Sequence, residues 1–170
     1  MPYTLEEMVS DCRTALKVDS GPAGRHAVRK CIEKACLDEG FVSKYLGPDN
    51  DRQMQILHED NGPGFSISVH VAGPSTGPPH GHGASWAIYG VASGTIEMTD
   101  WLCLEKPVGR QSGKVAKVKS YEVPPGVAHL YNEGDLHSSR RLNEVRMIRL
   151  ESTDSLNVAH LQYEAVESAT

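Results

Sequence analysis

The sequence predicts a mainly β fold, a sandwich or barrel of short strands that follows an N-terminal helical segment. Apolar residues repeat at helical spacing up to about residue 40, and from about residue 53 they alternate with polar residues. Short apolar runs separated by glycine and proline then continue to about residue 166. Many short strands at such spacing are typical of all-β sandwiches and barrels.

The helical segment is predicted to span residues 4–40 and to contain two helices. Thr4 and Glu7 have the spacing of a capping box, in which each side chain binds the other's backbone N–H group. The apolar stripe of the first helix is Leu5, Met8, Val9, Cys12 and Leu16. Residues 20–22, Ser-Gly-Pro, end this helix, and a second stripe between residues 28 and 36 is expected to stop at Gly40.

The strand region begins with a clear alternation in which Phe65, Ile67, Val69 and Val71 are separated by polar residues. Further strands are predicted at residues 86–92, 94–104, 114–123, 145–151 and 156–166, with a polar hairpin loop at residues 106–113. A chain of 170 residues with 39% hydrophobic content suits one packed core. We therefore expect a single domain over residues 1–170.

Composition narrows the classes of function. The net charge is −5 and no run is rich in lysine or arginine, which argues against nucleic acid as a partner. We see no signal peptide and no apolar stretch long enough to cross a bilayer, so a cytoplasmic protein without membrane contact is expected. The four cysteines lack Cys-x-x-Cys spacing and are expected to be reduced. Small molecules are the expected partners.

Three histidines in two proline-rich and glycine-rich segments predict a metal site. His80 and His82 are two residues apart, so in an extended segment their rings point the same way. His129 follows the sequence Pro-Pro-Gly-Val-Ala, a stiff turn from which a later strand can bring it opposite the first pair. The predicted ligands are therefore His80, His82 and His129.

Two segments resemble the two motifs of the cupin superfamily: PPHGHGASWAIYGVASGTIEMTDW and YEVPPGVAHLYN. The resemblance covers roughly residues 41–151. It implies a double-stranded β-helix, a jelly-roll barrel. Many cupins have a glutamate ligand four or five residues after the second histidine, where this chain has Trp86 and Ala87. An all-histidine site, preceded by helices and containing His-x-His-Gly-x-x-Trp, is similar to that of the thiol dioxygenases, which act on cysteine or 3-mercaptopropionate.

Three neutral imidazoles leave the full +2 charge on a divalent ion, so such a site favours anionic substrates. The resemblance implies iron(II) as cofactor and dioxygen as co-substrate, while zinc and manganese remain alternatives. The expected reaction is dioxygenation of a small organic acid, with a thiol as first choice and C–C cleavage of a dione or hydroxyketone as second. A non-redox zinc or manganese cupin, whether isomerase, lyase or small-molecule sensor, is the alternative of another class.

Two arginines are candidates for holding the substrate anion. Thiol dioxygenases bind the substrate carboxylate with an arginine from an early strand, and Arg52 has a comparable place in this sequence. A solvated charge at the start of a strand is the other interpretation. The family's serine, histidine and tyrosine relay has no match in residues 145–150, where Arg149 either projects inward to hold an anion or lies on an exposed face.

The remaining candidates are side chains that can donate or accept protons. Tyr89 and Tyr131 are predicted to donate a hydroxyl to substrate or dioxygen, unless they are ordinary barrel tyrosines. The histidines in strand patterns, which can act as acid or base if they face the cavity, are His58, His70 and His160. His137 lies in the polar stretch 133–140 and is a candidate lid residue. By resemblance alone, a homodimer is expected.

Overall fold

The computed structural model describes residues 1–152 and 161–167, which form three helices followed by ten strands. The helices are α1 (Leu5–Val18), α2 (Pro22–Leu37) and α3 (Glu39–Leu46). The strands are β1 (Met54–Glu59), β2 (Phe65–Ala72), β3 (Ser75–Thr76), β4 (Ala87–Ser93), β5 (Ile96–Glu105), β6 (Gly113–Val123), β7 (Ala128–Tyr131), β8 (Leu136–Arg141), β9 (Val145–Ser152) and β10 (Tyr163–Ala165). None of the described helices has the length and apolar character needed to cross a membrane.

The helical segment begins as predicted and ends later than predicted. The Thr4–Glu7 capping box is present, with the Glu7 N–H donating to Thr4 Oγ1 at 3.1 Å. The expectation that the segment stops at Gly40 is wrong. The Asp38 side chain accepts from the Phe41 N–H at 2.7 Å and so caps a further helix, α3, with Gly40 in its first turn. A capping carboxylate satisfies the free N–H groups of a new helix, which is why the chain turns and continues.

The strands form two five-stranded sheets, ordered β1-β2-β9-β4-β7 and β10-β6-β5-β8-β3. The first sheet packs one face against the helices, and its buried residues there are Phe65, Ile67, Val69, Ile88, Ile148 and Leu150. At Gly90 in β4 the approach of α2 is so close that a Cβ atom would lie 2.4 Å from Ile32 Cγ2. The helical segment therefore covers this face and fixes the opposite face toward the second sheet.

The opposite face of the first sheet packs on the second sheet around Val91, Ile96, Met98, Val123, Tyr131, Val145 and Met147. Because side chains alternate along a strand, Tyr89 of β4 shares this inner face with Val91, and Arg149 and Glu151 of β9 share it with Met147. The interior between the sheets is therefore apolar in one part and polar in another. This architecture confirms the predicted fold class, a mainly β jelly roll of the double-stranded β-helix type with an N-terminal helical segment.

The strands β4, β5, β6 and β9 lie within two residues of their predicted bounds, and residues 106–112 form the loop between β5 and β6. Three strands, β3, β7 and β8, were not predicted. The polar stretch 133–140, expected to be a loop, is mostly β8, which pairs with β5. Its buried residues include the polar His137 and Ser138, so no apolar alternation marked it as a strand. Of the strand predicted at 156–166, residues 156–160 lie outside the described residues and β10 covers 163–165.

Candidate metal centre

Three histidines meet at the polar part of the interior. Ring nitrogens of His80, His82 and His137, one from each residue, all lie within 4.8 Å of one another. Among the described residues, this is the group of histidine, cysteine and carboxylate side chains whose spacing suits a metal ion. His82 and His137 are only 8% and 1% exposed, while His80 is half-buried. The group is thus enclosed by protein on most sides and accessible on one.

Backbone hydrogen bonds hold two of these residues directly opposite each other. The His80 N–H donates to the His137 carbonyl oxygen, and the His137 N–H donates to the His80 carbonyl oxygen, both at 2.9 Å. Such a reciprocal pair is the hydrogen-bonded unit of an antiparallel ladder, in which the facing side chains lie side by side. His82 follows in a turn closed by the Ser85 N–H, which donates to its carbonyl oxygen at 2.9 Å. The main chain therefore fixes where these three side chains start and the direction in which each leaves the backbone.

The hydrogen bonds of the rings leave one nitrogen of each histidine for a metal. His80 Nδ1 lies 3.0 Å from the Pro78 carbonyl oxygen, which only accepts, so Nδ1 carries the proton and Nε2 keeps its lone pair. The Tyr89 hydroxyl occupies His82 Nε2 at 3.2 Å, which leaves His82 Nδ1. Within the described part of the chain, the buried Nδ1 of His137 has no hydrogen-bond partner. An orphaned buried nitrogen beside two others suits a metal ligand, so these residues fit a divalent ion.

The electrostatics of the site favour the neutral imidazoles that metal binding requires. Burial, followed by the positive charge of Arg149 and the electrostatic influence of the neighbouring His80 ring, lowers the pKa of His82 to about 4. Burial is also the main cause that lowers the pKa of His137 to about 2, with the neighbouring histidines and Arg149 adding to it. Both rings are therefore unprotonated at neutral pH, and their lone pairs are available.

His129, the third ligand predicted from sequence, lies outside this group. It stands on β7 opposite Tyr89, and its Nε2 lies 3.1 Å from the Tyr121 hydroxyl. That hydroxyl also contacts Asp100 Oδ1 at 2.9 Å and the Tyr131 hydroxyl at 2.7 Å. His137 therefore lies beside His80 and His82, where His129 was expected. The reason is that β8, which carries His137, lies directly against His80. A metal-binding role for His129 stays a prediction.

His137 is not the lid residue that the sequence suggested. It lies on β8 opposite Asp100 of β5, and its ring stacks on Tyr131 with centroids 3.8 Å apart and an interplanar angle of 18°. A side chain with 1% exposure, packed between two sheets, cannot swing over an opening. The expectation of a loop was wrong because polar histidine and serine residues occupy buried positions of this strand, so its sequence does not alternate between apolar and polar residues.

Arg149 projects inward rather than lying on an exposed face, while its role in holding an anion stays a prediction. On β9 its Cα lies opposite Ser68 of β2 and Tyr89 of β4, and its guanidinium lies 5.3 Å from the centre of the Tyr89 ring. The guanidinium forms an ion pair with Glu151, two residues along the same face of the strand. Its buried Nε has no hydrogen-bond partner among the described residues. Arg149 thus offers one unused donor to the interior.

Arg52 is placed differently. It is exposed just before β1, where its backbone N–H donates to Asn50 Oδ1 at 3.1 Å. This agrees with the interpretation of a solvated charge at a strand start, and substrate binding by Arg52 stays a prediction.

Both predicted tyrosines lie at the site. Tyr131 is 2% exposed and carries the stacked ring of His137, while Tyr89 contacts His82 through its hydroxyl. Burial raises the pKa of Tyr89 to about 12, although Arg149 opposes this. Burial together with the Tyr121 contact raises the pKa of Tyr131 well above its usual range. Both hydroxyls therefore stay protonated at neutral pH. Because Tyr121 donates its single proton to Asp100, the Tyr131 hydroxyl donates to the Tyr121 oxygen.

The other candidate histidines are distributed around the barrel. His58 Nε2 contacts Asp60 Oδ1 at 2.9 Å, away from the three-histidine group. His70 lies on the inner side of β2 with its Nε2 2.9 Å from Ser68 Oγ, and burial together with Arg149 lowers its pKa to about 4. His160 lies outside the described residues.

Three site residues were missed from sequence: Asp100, Tyr121 and Glu151. Tyr121 and its neighbours open the second motif, a signal that was visible. Asp100 and Glu151 sit at the ends of apolar runs and reach the site only through strand pairing, so no local pattern marks them. A cavity of about 410 Å³ opens beside this network, with Asp100, Trp101, His129, Tyr131 and Leu136 among its lining residues.

No protein-family model matches this sequence, and no curated protein matches it. Among solved structures, the chain is similar to the cupin domain of Schizosaccharomyces pombe Cnp3, with 16% identity over 65% of this chain and 68% of that one and a TM-score of 0.47. It is also similar to a cupin-2 domain containing protein from Shewanella frigidimarina, with 12% identity over 70% and 97% of the two chains and a TM-score of 0.46. A third is a conserved protein with a double-stranded β-helix domain from Klebsiella pneumoniae, with 16% identity, 72% and 89% coverage and a TM-score of 0.46.

The two sheets, their strand order and the helical segment give this chain the cupin fold. The histidines His80, His82 and His137 form a group in its interior that could hold a metal ion.

Proposed function

We propose that this protein is a metal-dependent cupin enzyme, a mononuclear non-haem iron(II) dioxygenase that acts on a small organic acid. The observation that carries the proposal is the three-histidine group with an inward-facing arginine beside it. The first choice of substrate is a thiol carboxylic acid such as 3-mercaptopropionate or cysteine. A dione or hydroxyketone undergoing C–C cleavage is the second choice within the same chemistry.

Arg149 supplies the argument for an anionic substrate. Its guanidinium lies on the same inner face as the ring of Tyr89, and Tyr89 contacts His82, so the cation and the metal-binding nitrogens border the same space. The unpartnered Nε donor can join a terminal N–H in binding a carboxylate side-on. A substrate held in this way has its other end directed at the histidine group. Because of this contact, substrates that carry a carboxylate should have a lower KM than substrates that lack one.

Iron(II) bound by three neutral imidazoles would supply open coordination positions for substrate and dioxygen. The protein's own residues orient the reactants and exclude water. Tyr131 packs flat against His137 and closes one side of the site. Tyr89, whose hydroxyl stays protonated, offers a hydrogen-bond donor beside His82. These contacts hold the substrate in one orientation. Positioning residues raise the rate in this way, because a correctly oriented substrate reacts more readily.

A second candidate function, non-redox proton transfer by a zinc or manganese cupin, has its own support. Asp100, Tyr121 and His129 form a chain of hydrogen bonds that ends at the 410 Å³ cavity. A carboxylate that orients a hydroxyl, which in turn contacts an imidazole, is an arrangement suited to moving a proton. Burial lowers the pKa of His129, so the ring is a neutral acceptor. An isomerase or lyase would use His129 as its base.

One experiment separates the two functions. The apoprotein is loaded anaerobically with iron(II), its metal content is measured, and oxygen uptake is followed with a panel of thiols, diones and hydroxyketones. Uptake with one class of these compounds, accompanied by equal product formation, supports the dioxygenase. Absence of uptake across the panel at full iron occupancy would contradict it. Turnover of a hydroxyketone by the zinc-loaded or manganese-loaded protein without oxygen uptake would support proton transfer instead.

Two variants serve as matched tests of the assigned residues. Arg149→Gln should raise the KM for substrates with a carboxylate and leave that for a thiol without one nearly unchanged. Tyr121→Phe removes the hydroxyl that connects Asp100 to His129, and it should impair the proton-transfer reaction while leaving oxygen uptake largely intact. An Arg149→Gln enzyme with an unchanged KM for carboxylates would remove Arg149 from substrate binding.

A further inference from the structure

We infer that Glu151 is a fourth protein ligand of this metal site, supplied by strand β9. The inference rests on the metal site of the proposed function and not on the dioxygen reaction. Glu151 Oε1 lies 3.9 Å from His82 Nδ1, the ring nitrogen that the Tyr89 hydroxyl leaves unoccupied. Two donor atoms bound to one zinc or iron ion lie about 3–4 Å apart, because each is about 2.1 Å from the metal. The carboxylate is therefore within ligand spacing of His82, although it does not belong to the three-histidine group whose ring nitrogens all lie within 4.8 Å of one another.

Strand register places Glu151 where its side chain can reach the histidines. Glu151 is the cross-strand partner of Ala87 in β4, and Ala87 is the partner of Tyr131 in β7. All three share the inner face of the sheet. Because Ala87 has only a methyl group, it does not separate the longer side chains of Glu151 and Tyr131. Tyr131 carries the stacked ring of His137, so the inner-face residues next to Glu151 border the metal-binding group.

The partner of Glu151 explains why the carboxylate is directed inward before metal binds. Arg149 forms an ion pair with Glu151 and is itself 30% exposed in its side chain, whereas Glu151 is 21% exposed. A carboxylate at the rim of a cluster of neutral imidazoles needs a positive charge near it. A divalent ion would supply that charge from the other side. The ion would then replace part of the contact that Glu151 makes with Arg149.

Zinc binding to the metal-free protein tests whether Glu151 is a ligand. Glu151→Gln keeps the size of the side chain and removes its charge. The dissociation constant of this variant for zinc is measured by competition with a chelator. We expect binding weaker than in the parent protein by about tenfold or more, the magnitude typical of removing a group that supports a metal site. The matched control is Glu97→Gln, another strand glutamate paired with an arginine, Arg140. It should change the constant less than threefold.

Cobalt(II) distinguishes a ligand from a nearby charge. Loss of a ligand changes the geometry at cobalt and hence its visible absorption, whereas loss of a remote charge does not. A changed spectrum in Glu151→Gln, with the parent spectrum in Glu97→Gln, supports ligation. Zinc binding within threefold of the parent value would overturn the inference. So would weaker binding with an unchanged cobalt spectrum, since it would assign Glu151 to charge alone.

Arg149→Gln adds a second measurement in the same assay. Because the ion and Arg149 compete for the Glu151 carboxylate, removing Arg149 should tighten zinc binding severalfold in the parent background and less in the Glu151→Gln background. Equal tightening in both backgrounds would overturn the link between the two residues. Neither measurement uses oxygen uptake, so failure of the dioxygenase proposal leaves this test readable. Failure of Glu151 as a ligand likewise leaves the oxygen-uptake experiment unaffected.

Discussion

His80 and His137 face each other across an isolated antiparallel bridge, joined by two backbone hydrogen bonds of 2.9 Å. Their rings lie with centroids 4.5 Å apart, and His82 completes the group. The residues come from segments more than 50 positions apart in the chain. Metal binding in this protein is therefore a property of how β8 meets the segment around His80.

Replacing His137 by alanine should remove tight metal binding. The substitution takes away one of three grouped nitrogens, and removing one of three donors from such a site is expected to weaken zinc binding by on the order of 100-fold or more. His129→Ala is the informative comparison, because His129 contacts Tyr121 instead. It should retain zinc within about tenfold, by the same reasoning. Chelator competition measures both. Retention by His137→Ala together with loss by His129→Ala would restore the ligand set predicted from sequence.

The Arg25 side chain is expected to stabilise the loop that leads into β8. It donates to Glu133 Oε1 at 2.6 Å and to Asn132 Oδ1 at 3.2 Å, and its guanidinium lies 5.3 Å from the centre of the Trp86 ring. Arg25→Ala should lower the free energy of unfolding by about 1–3 kcal/mol, because charged hydrogen bonds and packing are lost together. Chemical denaturation measures the change.

Arg13→Ala is the control for that variant. Arg13 also pairs with an acid, Asp60, but its side chain is 50% exposed. Exposed ion pairs contribute little to stability, so Arg13→Ala should lower the free energy of unfolding by less than about 1 kcal/mol. Equal losses in the two variants would mean that Arg25 does not contribute through its buried contacts.

Stability should fall below pH 6.5 in part because of His70. Burial lowers the pKa of this histidine to about 4, from 6.5 in the unfolded chain. Between those values the unfolded chain binds more protons than the folded protein, so acid favours unfolding; above pH 6.5 the contribution is fully present. Allowing for the partial exposure of the ring, the loss by pH 4 is about 1–2 kcal/mol.

The measurement compares the free energy of unfolding of the parent protein and His70→Asn from pH 4 to pH 7.5. An asparagine does not titrate in this range, so the variant should have a shallower dependence on pH. Identical slopes for the two proteins would contradict a neutral, buried His70.

The packing of α2 on the first sheet should tolerate no side chain at residue 90. A Cβ atom at Gly90 would lie 2.4 Å from Ile32 Cγ2 and 2.9 Å from Cys36 Sγ. Gly90→Ala should therefore lower the free energy of unfolding by about 1–3 kcal/mol through overpacking. At Gly73 a Cβ atom would meet no atom within 4 Å, so Gly73→Ala is the matched control. Thermal or chemical unfolding measures both variants. An unchanged stability in Gly90→Ala would show that α2 can shift to make room for the added methyl group.

Local patterns in the sequence determined much of this protein. Apolar spacing and the capping box predicted α1 and α2, and alternation predicted β2, β4, β5, β6 and β9. The separation of two residues between His80 and His82 predicted that both rings serve one site. These features depend on neighbours within a few positions, where backbone geometry alone fixes the direction of each side chain.

Only the tertiary structure decided which residues join that pair. His137 reaches the site because β8 lies beside His80, and Arg149 and Glu151 reach it because β9 pairs with β4. Register between strands that are distant in sequence depends on the packing of the whole barrel, and a shift of one residue would turn each of these side chains to the other face. Buried polar residues also weaken the apolar alternation that would reveal their strands. Cross-strand register is therefore the physical reason that the sequence pointed to His129 and the fold to His137.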